Sequence, residues 1–402
     1  MSTTKTKKTE SIVPIGPFHP LQEEPELFRL HVEGETVVDI DVEIGWNHRG
    51  IEKLAEDRTW DQVTFLIERI CGICSTSHPI AYVQAVEDCV GGVEVPERAL
   101  YIRTFIAEME RLHSHLLWVG LAGHFLGYNT VFMWGWKYRE TVLDIFEEVS
   151  GNRNHYAMMK PGGVRRDMDE AMFPSIHKRL DELWKNLELL AGAVIDDPVL
   201  HARLKGIGIL TKQDAIDYCA LGPTSRASGL PADVRRNHPY AAYDRVDWNV
   251  ITARNGDVYD KTIVRVLECF ESIKICKQCL DNMPKGEIDA KIKEVPPGEG
   301  IGQAEAPRGE TLHYVRSDGT NSPIRHKVRA PTYMNLPTCK ATVVGESITD
   351  ATIILASIDP CYCCTERVAV LDADTKKPLM TGKDLVRLSQ EKTRRIRKEL
   401  GQ

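Results

Sequence analysis

The sequence from Pro96 to Leu121, PERALYIRTFIAEMERLHSHLLWVGL, has the pattern of one long helix. Proline suits its first position, because the missing N–H would have no partner within the helix there. Apolar residues then recur at helical intervals, at Leu100, Ile106, Met109, Leu112 and Leu116. We therefore expect a long helix near the centre of the fold.

Other helical patterns surround this stretch. They cover residues 60–69, 79–89, 138–149, 167–193 and 259–283, and a charged terminal helix is expected over residues 383–400. Residues 221–243 are rich in Gly, Pro, Ser and Arg and predict an ordered loop. Long helices with one apolar face each pack together as a bundle.

Strand patterns lie toward both ends of the chain. FRLHVEGETVVDIDVEI, from Phe28 to Ile44, alternates apolar and polar residues around Gly34, which is typical of a β-hairpin with one buried face. Residues 296–302 predict a Pro/Gly turn, and residues 313–329 predict short strands. The expected fold class is α+β, mainly α, with a central bundle of long helices and β-hairpin elements from the N- and C-terminal parts packed on it.

Length and composition are those of a globular protein. The 402 residues are 42% hydrophobic and 27% charged. We interpret residues 1–402 as a single domain, with a flexible tail over residues 1–10 and a C-terminal extension with a helix over residues 368–402. The net charge of −7 offers no basic surface for nucleic acid, so we expect no partner of that class.

One apolar stretch has the length of a membrane span. Residues 112–136 contain no Asp, Glu, Lys or Arg, but they include His113, His115, His124, Asn129 and four glycines. We interpret the stretch as buried or site-lining protein, and we recognise no secretory signal at the N-terminus. If the protein acts at a membrane, other chains must supply the spans.

The eleven cysteines favour metal ligation or catalysis over disulfides, because their number is odd and their spacing irregular. Two CxxC pairs stand out, Cys71/Cys74 and Cys361/Cys364. Soft thiolates select zinc, iron, nickel or copper(I). Zinc modules usually place such pairs roughly 15–20 residues apart, whereas 286 residues separate Cys74 from Cys361. Spacing alone leaves structural zinc and a catalytic or redox metal equally open.

Other cysteines have a similar spacing. Cys269, Cys276 and Cys279 fall at i, i+7 and i+10 on one predicted helix, so we expect them to pack in the core as small apolar residues. Cys363 lies inside the second pair, in CYCC, and the sequence leaves its role as a ligand open.

The surroundings of both pairs resemble a known family. RICGICSTSH (residues 69–78) and DPCYCCTER (residues 359–367) are similar to the two metal-binding signatures of nickel–iron hydrogenase large subunits. The ending CTER resembles the energy-converting, membrane-bound branch, which is related to the quinone-site subunit of respiratory complex I. Further similar motifs are GPFHP (16–20), NHRGI (47–51), RLHSH (111–115), VSGNR (149–153), PGGV (161–164), GDVYD (256–260) and EAPRG (305–309).

The resemblance implies a nickel–iron centre whose iron carries carbon monoxide and cyanide. By position, Cys71 and Cys361 would be terminal ligands of nickel, while Cys74 and Cys364 would bridge the two metals. The implied reaction is heterolytic cleavage or formation of H2, with a nearby base that takes the proton. Electron-rich thiolates suit this chemistry.

The resemblance also implies roles for residues around the metals. Arg308 would place its guanidinium over the open face of the metals, where a fixed cation stabilises developing charge. Pro331 and Thr332 resemble the segment that hydrogen-bonds cyanide. His78 resembles the histidine that hydrogen-bonds a bridging sulfur. The alternatives are an exposed arginine in a turn for Arg308 and a core histidine for His78.

Proton transfer needs a carboxylate near a terminal cysteine. The segment HPLQEEPE (residues 19–26) lies where the family keeps its proton-transfer glutamate, and Glu24 aligns best, beside Glu23. Burial would raise the pKa of Glu24 and make it a competent relay. Either glutamate could instead be a solvated turn residue.

The chain has no convincing iron–sulfur motif, so we expect no cluster in it. The resemblance implies a small iron–sulfur partner subunit, membrane subunits that translocate ions, and ferredoxin, bound directly or through another iron–sulfur subunit. It implies a peripheral position on the cytoplasmic side of the cell membrane. The other hypotheses are a complex I-like or sulfur-reducing relative on the same scaffold, and a non-catalytic scaffold held by zinc.

Overall fold

The computed structural model describes residues 10–20, 22–365, 370–372, 374–375 and 377–401. Its helices are α1 (Ile51–Glu56), α2 (Trp60–Glu68), α3 (Ser77–Val90), α4 (Glu97–Phe125), α5 (Asn129–Ser150), α6 (Phe173–Ile195), α7 (Pro198–Leu204), α8 (Lys212–Asp217), α9 (Gly222–Ala227), α10 (Val234–Asn237), α11 (Val258–Asp281), α12 (Pro331–Asn335), α13 (Thr338–Val343), α14 (Ile348–Ser357) and α15 (Gly382–Glu399).

The strands form small antiparallel sheets. They are β1 (Glu10–Ile15), β2 (Leu27–Glu33), β3 (Thr36–Glu43), β4 (Met159–Lys160), β5 (Gly163–Val164), β6 (Gly298–Ala306), β7 (Gly309–Ser317), β8 (Arg325–Arg329), β9 (Val370–Leu371) and β10 (Pro378–Met380). The two three-stranded sheets have the orders β1-β2-β3 and β6-β7-β8. The mainly helical α+β class expected from the sequence is confirmed.

Helix α4 is the axis of the bundle. It packs against α5 and α11, and α6 packs against the same two helices. Nearly every residue from Arg98 to Gly123 is buried, including the charged residues Glu108, Glu110 and Arg111. Pro96 is the N-cap and not the first helical residue, so that prediction was wrong by one position. A helix buried on all sides must hold its polar groups in internal bonds, and this places ionisable side chains inside the protein.

The predicted N-terminal hairpin is confirmed as β2 and β3, with Gly34 at a φ of 67° in the connecting turn. Strand β1 adds to it and was not predicted. The hairpin is fixed to the C-terminal half of the chain, because the Val37 N–H donates to the Glu346 carbonyl at 2.9 Å and the Gly345 N–H donates back to Val37 at 2.8 Å. This contact joins the N-terminal hairpin to the segment that precedes α14.

The Pro/Gly turn predicted over residues 296–302 is wrong after its first residues, because Gly298 begins strand β6. Glycine is required there by a close approach to α3. A Cβ added at Gly300 would lie 2.0 Å from the Ala85 carbonyl oxygen, and one added at Gly302 would lie 2.1 Å from that of Ala81. Glycines inside a strand therefore mark tight backbone packing here and not a turn.

The remaining predictions have mixed outcomes. Residues 221–243 form an ordered segment, but it contains the short helices α9 and α10. The charged terminal helix is confirmed as α15. Residues 1–9 of the expected tail, and residues 366–369 at the start of the expected extension, lie outside the described residues.

Candidate metal centre

The two CxxC pairs come from loops that end on the bundle. Cys71 and Cys74 lie between α2 and α3, and Cys361 and Cys364 lie at a single helical turn after α14. Their side chains are 2, 2, 3 and 7% exposed in that order. Burial at this level favours a site that excludes water over a surface clip.

Three of the four sulfur atoms meet closely, since those of Cys71, Cys361 and Cys364 lie within 4.8 Å of one another. The Cys361 sulfur is 3.1 Å from that of Cys71 and 3.0 Å from that of Cys364. The Cys74 thiol interacts with all three. Hydrogen bonds from the other thiols hold the pKa of Cys71 well below its usual range, which favours the thiolate that binds a metal.

Arg49 ties the two cysteine loops together. Its guanidinium donates to the carbonyls of Arg69 and Ile70 at 2.7 Å each, next to the first pair, and to the Cys363 carbonyl at 3.3 Å. Arg49 lies in the NHRGI motif, but nothing in that motif indicates this role. The contact fixes the distance between motifs that are far apart in the chain.

Arg308 is buried at 2% exposure in the turn between β6 and β7, so the exposed-arginine alternative is wrong. Its Nη2 pairs with Asp359 Oδ1 at 2.6 Å, its Nε donates to the Asp359 carbonyl at 2.8 Å, and its Nη1 donates to Ser114 Oγ at 3.0 Å. Asp359 raises the pKa of Arg308 further above its usual range, and so do nearby cysteines, against the opposing effect of burial. The group is a permanent cation beside the sulfur cluster.

Asp359 is a site residue that the sequence analysis missed. It precedes Pro360 in the second motif and adopts a φ of 55°, in the left-handed region. This conformation turns its carbonyl and its carboxylate toward Arg308. Asp is among the residues that tolerate this region, which was the available sequence signal.

Thr332 and Pro331 lie at the start of α12, both buried. The Thr332 hydroxyl accepts a hydrogen bond from the Cys361 N–H at 3.1 Å. A hydroxyl that accepts one bond still has its own proton to donate. The structure thus brings Thr332 to the second cysteine pair, and its bond to cyanide stays a prediction.

His78 lies in the first turn of α3 with its Nε2 3.4 Å from the Cys364 sulfur. Its Nδ1 faces His313 Nε2 at 3.0 Å. Burial lowers the pKa of His78 to about 4. Cys364 is one of the two cysteines expected to bridge the metals, and the role of His78 there stays a prediction.

Glu24 lies beside the second cysteine pair. Its Oε2 accepts from the Cys363 N–H at 2.6 Å and is 4.0 Å from the Cys361 sulfur. Burial raises the pKa of Glu24. Glu23, itself exposed, lines an open-sided cavity with Phe28 as one wall, and loss of solvation against the protein raises the pKa of Glu23 to about 7. Glu24 thus lies at the second cysteine pair, and its neighbour Glu23 lies at the cavity.

The other cysteines have different surroundings. Cys276 and Cys279 are fully buried on α11, and the Cys276 thiol faces the Phe105 carbonyl at 3.8 Å. This confirms core packing. Cys363 is half-buried, and its sulfur, like that of Cys74, lies outside the group of three described sulfurs that meet within 4.8 Å of one another.

In the described part of the chain, none of the helices combines the length and apolar character needed to cross a bilayer. The uncharged stretch over residues 112–136 is divided by a turn between α4 and α5. Most of its first half is buried in the bundle, as expected from its histidines and glycines.

Comparison with known proteins identifies the family. Residues 126–295 and 290–367 match the model of the respiratory-chain NADH dehydrogenase 49 Kd subunit, and residues 49–121 match that of nickel-dependent hydrogenase. The membrane-bound hydrogenase subunit alpha of Pyrococcus furiosus is 42% identical over 401 residues, which covers 96% of this chain and 93% of the relative. The chain belongs to the family of hydrogenase large subunits and complex I 49 kDa subunits.

Members of this family with different reactions are similar to the chain. The carbon monoxide-induced hydrogenase of Rhodospirillum rubrum is 41% identical, over 88% of this chain and 99% of the relative. A solved structure of the membrane-bound sulfane sulfur reductase, an archaeal respiratory membrane complex, includes a chain with a TM-score of 0.85 and 32% identity, over 90% of this chain and all of that one. The resemblance drawn from the motifs is confirmed at the level of the family.

Proposed function

We propose that this chain is the catalytic subunit of a membrane-bound nickel–iron hydrogenase. It would oxidise H2 or reduce protons reversibly, coupled to ferredoxin and ion translocation. The observation that carries the proposal is the set of buried cysteine sulfurs from two CxxC pairs, three of them within 4.8 Å of one another, beside a buried arginine.

The donor set fits a nickel–iron centre. Cys71, Cys74, Cys361 and Cys364 offer thiolates, the ligands that soft metals prefer, with little access to water. Cys71 and Cys361 would be terminal ligands and the other two would bridge. When bound, the metals supply heterolytic cleavage of H2, and carbon monoxide and cyanide are proposed on the iron.

Three side chains of this protein prepare the site. Arg308 holds a fixed positive charge over the sulfur cluster, and Asp359 together with Ser114 keeps it in place. His78 donates from Nε2 to the Cys364 sulfur, and Thr332 orients the Cys361 backbone while keeping a hydroxyl proton for cyanide. Fixed donors of this kind need no reorganisation when charge develops.

Glu24 moves the proton. Its Oε2, 4.0 Å from the Cys361 sulfur, takes a proton from that sulfur and passes it outward, with Glu23 next on the way to the cavity. We expect Glu24→Gln to keep its metals and lose hydrogen–deuterium exchange, because an amide cannot relay the proton. The exposed Glu299→Gln is the matched control. Exchange at the wild-type rate in Glu24→Gln would refute this role.

The proposed partners follow from the relatives. A small iron–sulfur subunit would deliver electrons, membrane subunits would translocate ions, and ferredoxin would exchange electrons directly or through another iron–sulfur subunit. The names of relatives, which include a membrane-bound hydrogenase and a respiratory membrane complex, support a peripheral position on the cytoplasmic side of the membrane. Purification of the tagged chain from solubilised membranes should recover such subunits.

Metal analysis and infrared spectroscopy test the proposal. Nickel and iron in about equal amounts, with bands from iron-bound carbon monoxide and cyanide, are expected from the purified complex. Zinc alone would instead establish the scaffold hypothesis. Replacement of Cys361 by Ala should remove the bands, and Cys276→Ala, in the core, is the control that should keep them.

A second candidate is sulfur reduction on the same scaffold. The likeness to the sulfane sulfur reductase chain, with a TM-score of 0.85, favours it as the alternative within the family. A complex I-like role is a third possibility, supported by the match to the 49 Kd subunit. Assays of H2 evolution and of sulfane sulfur reduction with reduced ferredoxin, run on the same complex, separate the first two.

A further inference from the structure

A row of three buried histidines leads away from the sulfur cluster. His78 Nε2 is 3.4 Å from the Cys364 sulfur, and His78 Nδ1 is 3.0 Å from His313 Nε2. His313 Nδ1 is in turn 2.9 Å from His326 Nε2. In both ring contacts, Nδ1 of one histidine faces Nε2 of the next, and the row ends at His326.

The row crosses from a helix into a sheet. His78 belongs to α3, and His313 and His326 lie on the neighbouring strands β7 and β8, with their side chains toward α3. All three residues are at most 1% exposed. Tyr82, one turn further along α3, packs edge-on against the rings of His313 and His326. The rings are therefore held in place from two elements.

The last histidine of the row limits which ring nitrogens can donate and which can accept. Among the described residues, His326 Nδ1 has no hydrogen-bond partner. Burial lowers the pKa of His326 to about 4 against the opposing charge of Glu52, and burial together with His326 and His78 holds the pKa of His313 well below its usual range. Each of these two rings is then neutral at pH 7, with one nitrogen that donates and one that accepts.

The sulfur fixes the direction of the row. A metal-bound thiolate carries no proton, so it accepts, and His78 Nε2 must donate to it. His78 Nδ1 then accepts from His313 Nε2–H, and His313 Nδ1 accepts from His326 Nε2–H. The Thr311 hydroxyl is also 3.4 Å from His78 Nδ1, but its one proton is donated to the Arg329 carbonyl at 3.4 Å, which leaves His313 as the donor to His78.

We propose that His313 and His326 are positioning residues, which hold His78 in the Nε2–H form through a one-directional hydrogen-bond row, so that it donates to the Cys364 sulfur. The proposal rests on the proposed function, because it takes Cys364 to be a metal ligand. This role explains why two further imidazoles are buried here. Apolar residues at the two positions would avoid the cost of the unpaired acceptor at His326.

Infrared bands of iron-bound carbon monoxide in the complete complex are the test. In His313→Leu, His78 loses its fixed donor, and its hydrogen bond to the sulfur weakens. The sulfur then leaves more electron density on the metals, so the carbon monoxide band should move to lower wavenumber. His313→Gln keeps one donor and one acceptor in place and should leave the band near the wild-type position.

Tyr82→Phe is the matched control. It removes a hydroxyl that donates to the Trp60 carbonyl at 2.9 Å and keeps the ring that packs against His313 and His326, so the band should not move. An unchanged band in His313→Leu, or the same shift in Tyr82→Phe, would overturn the proposal. Absence of carbon monoxide bands in the wild-type complex would instead refute the proposed function.

A measurement on the wild-type protein tests the proposal without variants, which can fail to take up metals. Nitrogen NMR of the complex labelled with 15N-histidine should show three neutral rings, each protonated at Nε2. A ring protonated at Nδ1 at His313 or His326, or a doubly protonated His78, would reverse the row and overturn the proposal.

Discussion

Replacement of Arg308 by Leu tests how the cation beside the metals is held. The guanidinium makes an ion pair and a backbone bond with Asp359 and a bond with Ser114, all in the interior. Leucine fills a similar volume but removes all three bonds. The Asp359 carboxylate, 3% exposed, then remains buried without this partner.

Loss of one partner from a buried ion pair costs about 3–5 kcal/mol where the other charge is left uncompensated. Because the Arg265 Nε remains 3.9 Å from Asp359 Oδ2, we expect Arg308→Leu to lower the free energy of unfolding by about 3 kcal/mol, the lower end of that range. Addition of Asp359→Asn should recover about 1–3 kcal/mol, the usual range of coupling between contacting residues. Asn suits the position because it also tolerates the left-handed backbone found there.

Addition of Asp359→Asn should restore part of the stability of Arg308→Leu but none of its activity. Both lack the cation, so both should lose activity by about 10²–10³-fold, the typical effect of removing one electrostatic donor. Urea unfolding followed by circular dichroism measures the first quantity, and hydrogen–deuterium exchange measures the second. The exposed pair Arg316–Glu299 provides the control, since Arg316→Leu should cost less than about 1 kcal/mol.

Two results would refute this reasoning. Unfolding of Arg308→Leu at the wild-type urea concentration would mean that the ion pair does not hold the turn. A double variant no more stable than the single one would mean that the carboxylate left behind is not the source of the cost.

Three other outcomes are expected. Gly302→Ala should lower the free energy of unfolding in urea by about 1–3 kcal/mol because its Cβ would overlap the α3 backbone, whereas Gly298→Ala, with neighbours no nearer than 3.5 Å, should not. Burial lowers the pKa of Lys261 from 10.5 to about 7. At pH values between these two pKa values the unfolded chain binds more protons than the folded one, so wild-type stability should rise with pH across that window. Lys261→Met should flatten the rise. Arg49→Met removes the link between the cysteine loops and should lower metal content per chain at unchanged helix content, and full metal content would contradict it.

The sequence predicts the helical part of the fold well, since α4 has apolar residues at helical intervals and a proline at its N-cap. It predicts β6 poorly, because glycines chosen for close contact with α3 look the same as glycines chosen for a turn. That contact joins residues more than 200 positions apart, and no local pattern records it.

The candidate site is likewise predictable from the sequence only in part. Motifs place Cys71, Cys361 and Arg308 in one family, and the structure brings them together. Of the partners that hold them, Asp359 lies inside the second motif and His313 lies in none, but the sequence indicates neither contact, because each runs across the fold. Their only local traces are a residue type that tolerates a positive φ and a histidine on the buried face of a strand.

The separation of the two cysteine loops has a consequence for biosynthesis. Cys71 is translated 290 residues before Cys361. At about 5–20 residues per second, the first pair waits about 15–60 s for the second. During that interval it is a two-thiolate half-site open to zinc or copper(I). The timing of metal delivery, as well as ligand chemistry, therefore bears on which metal this centre receives.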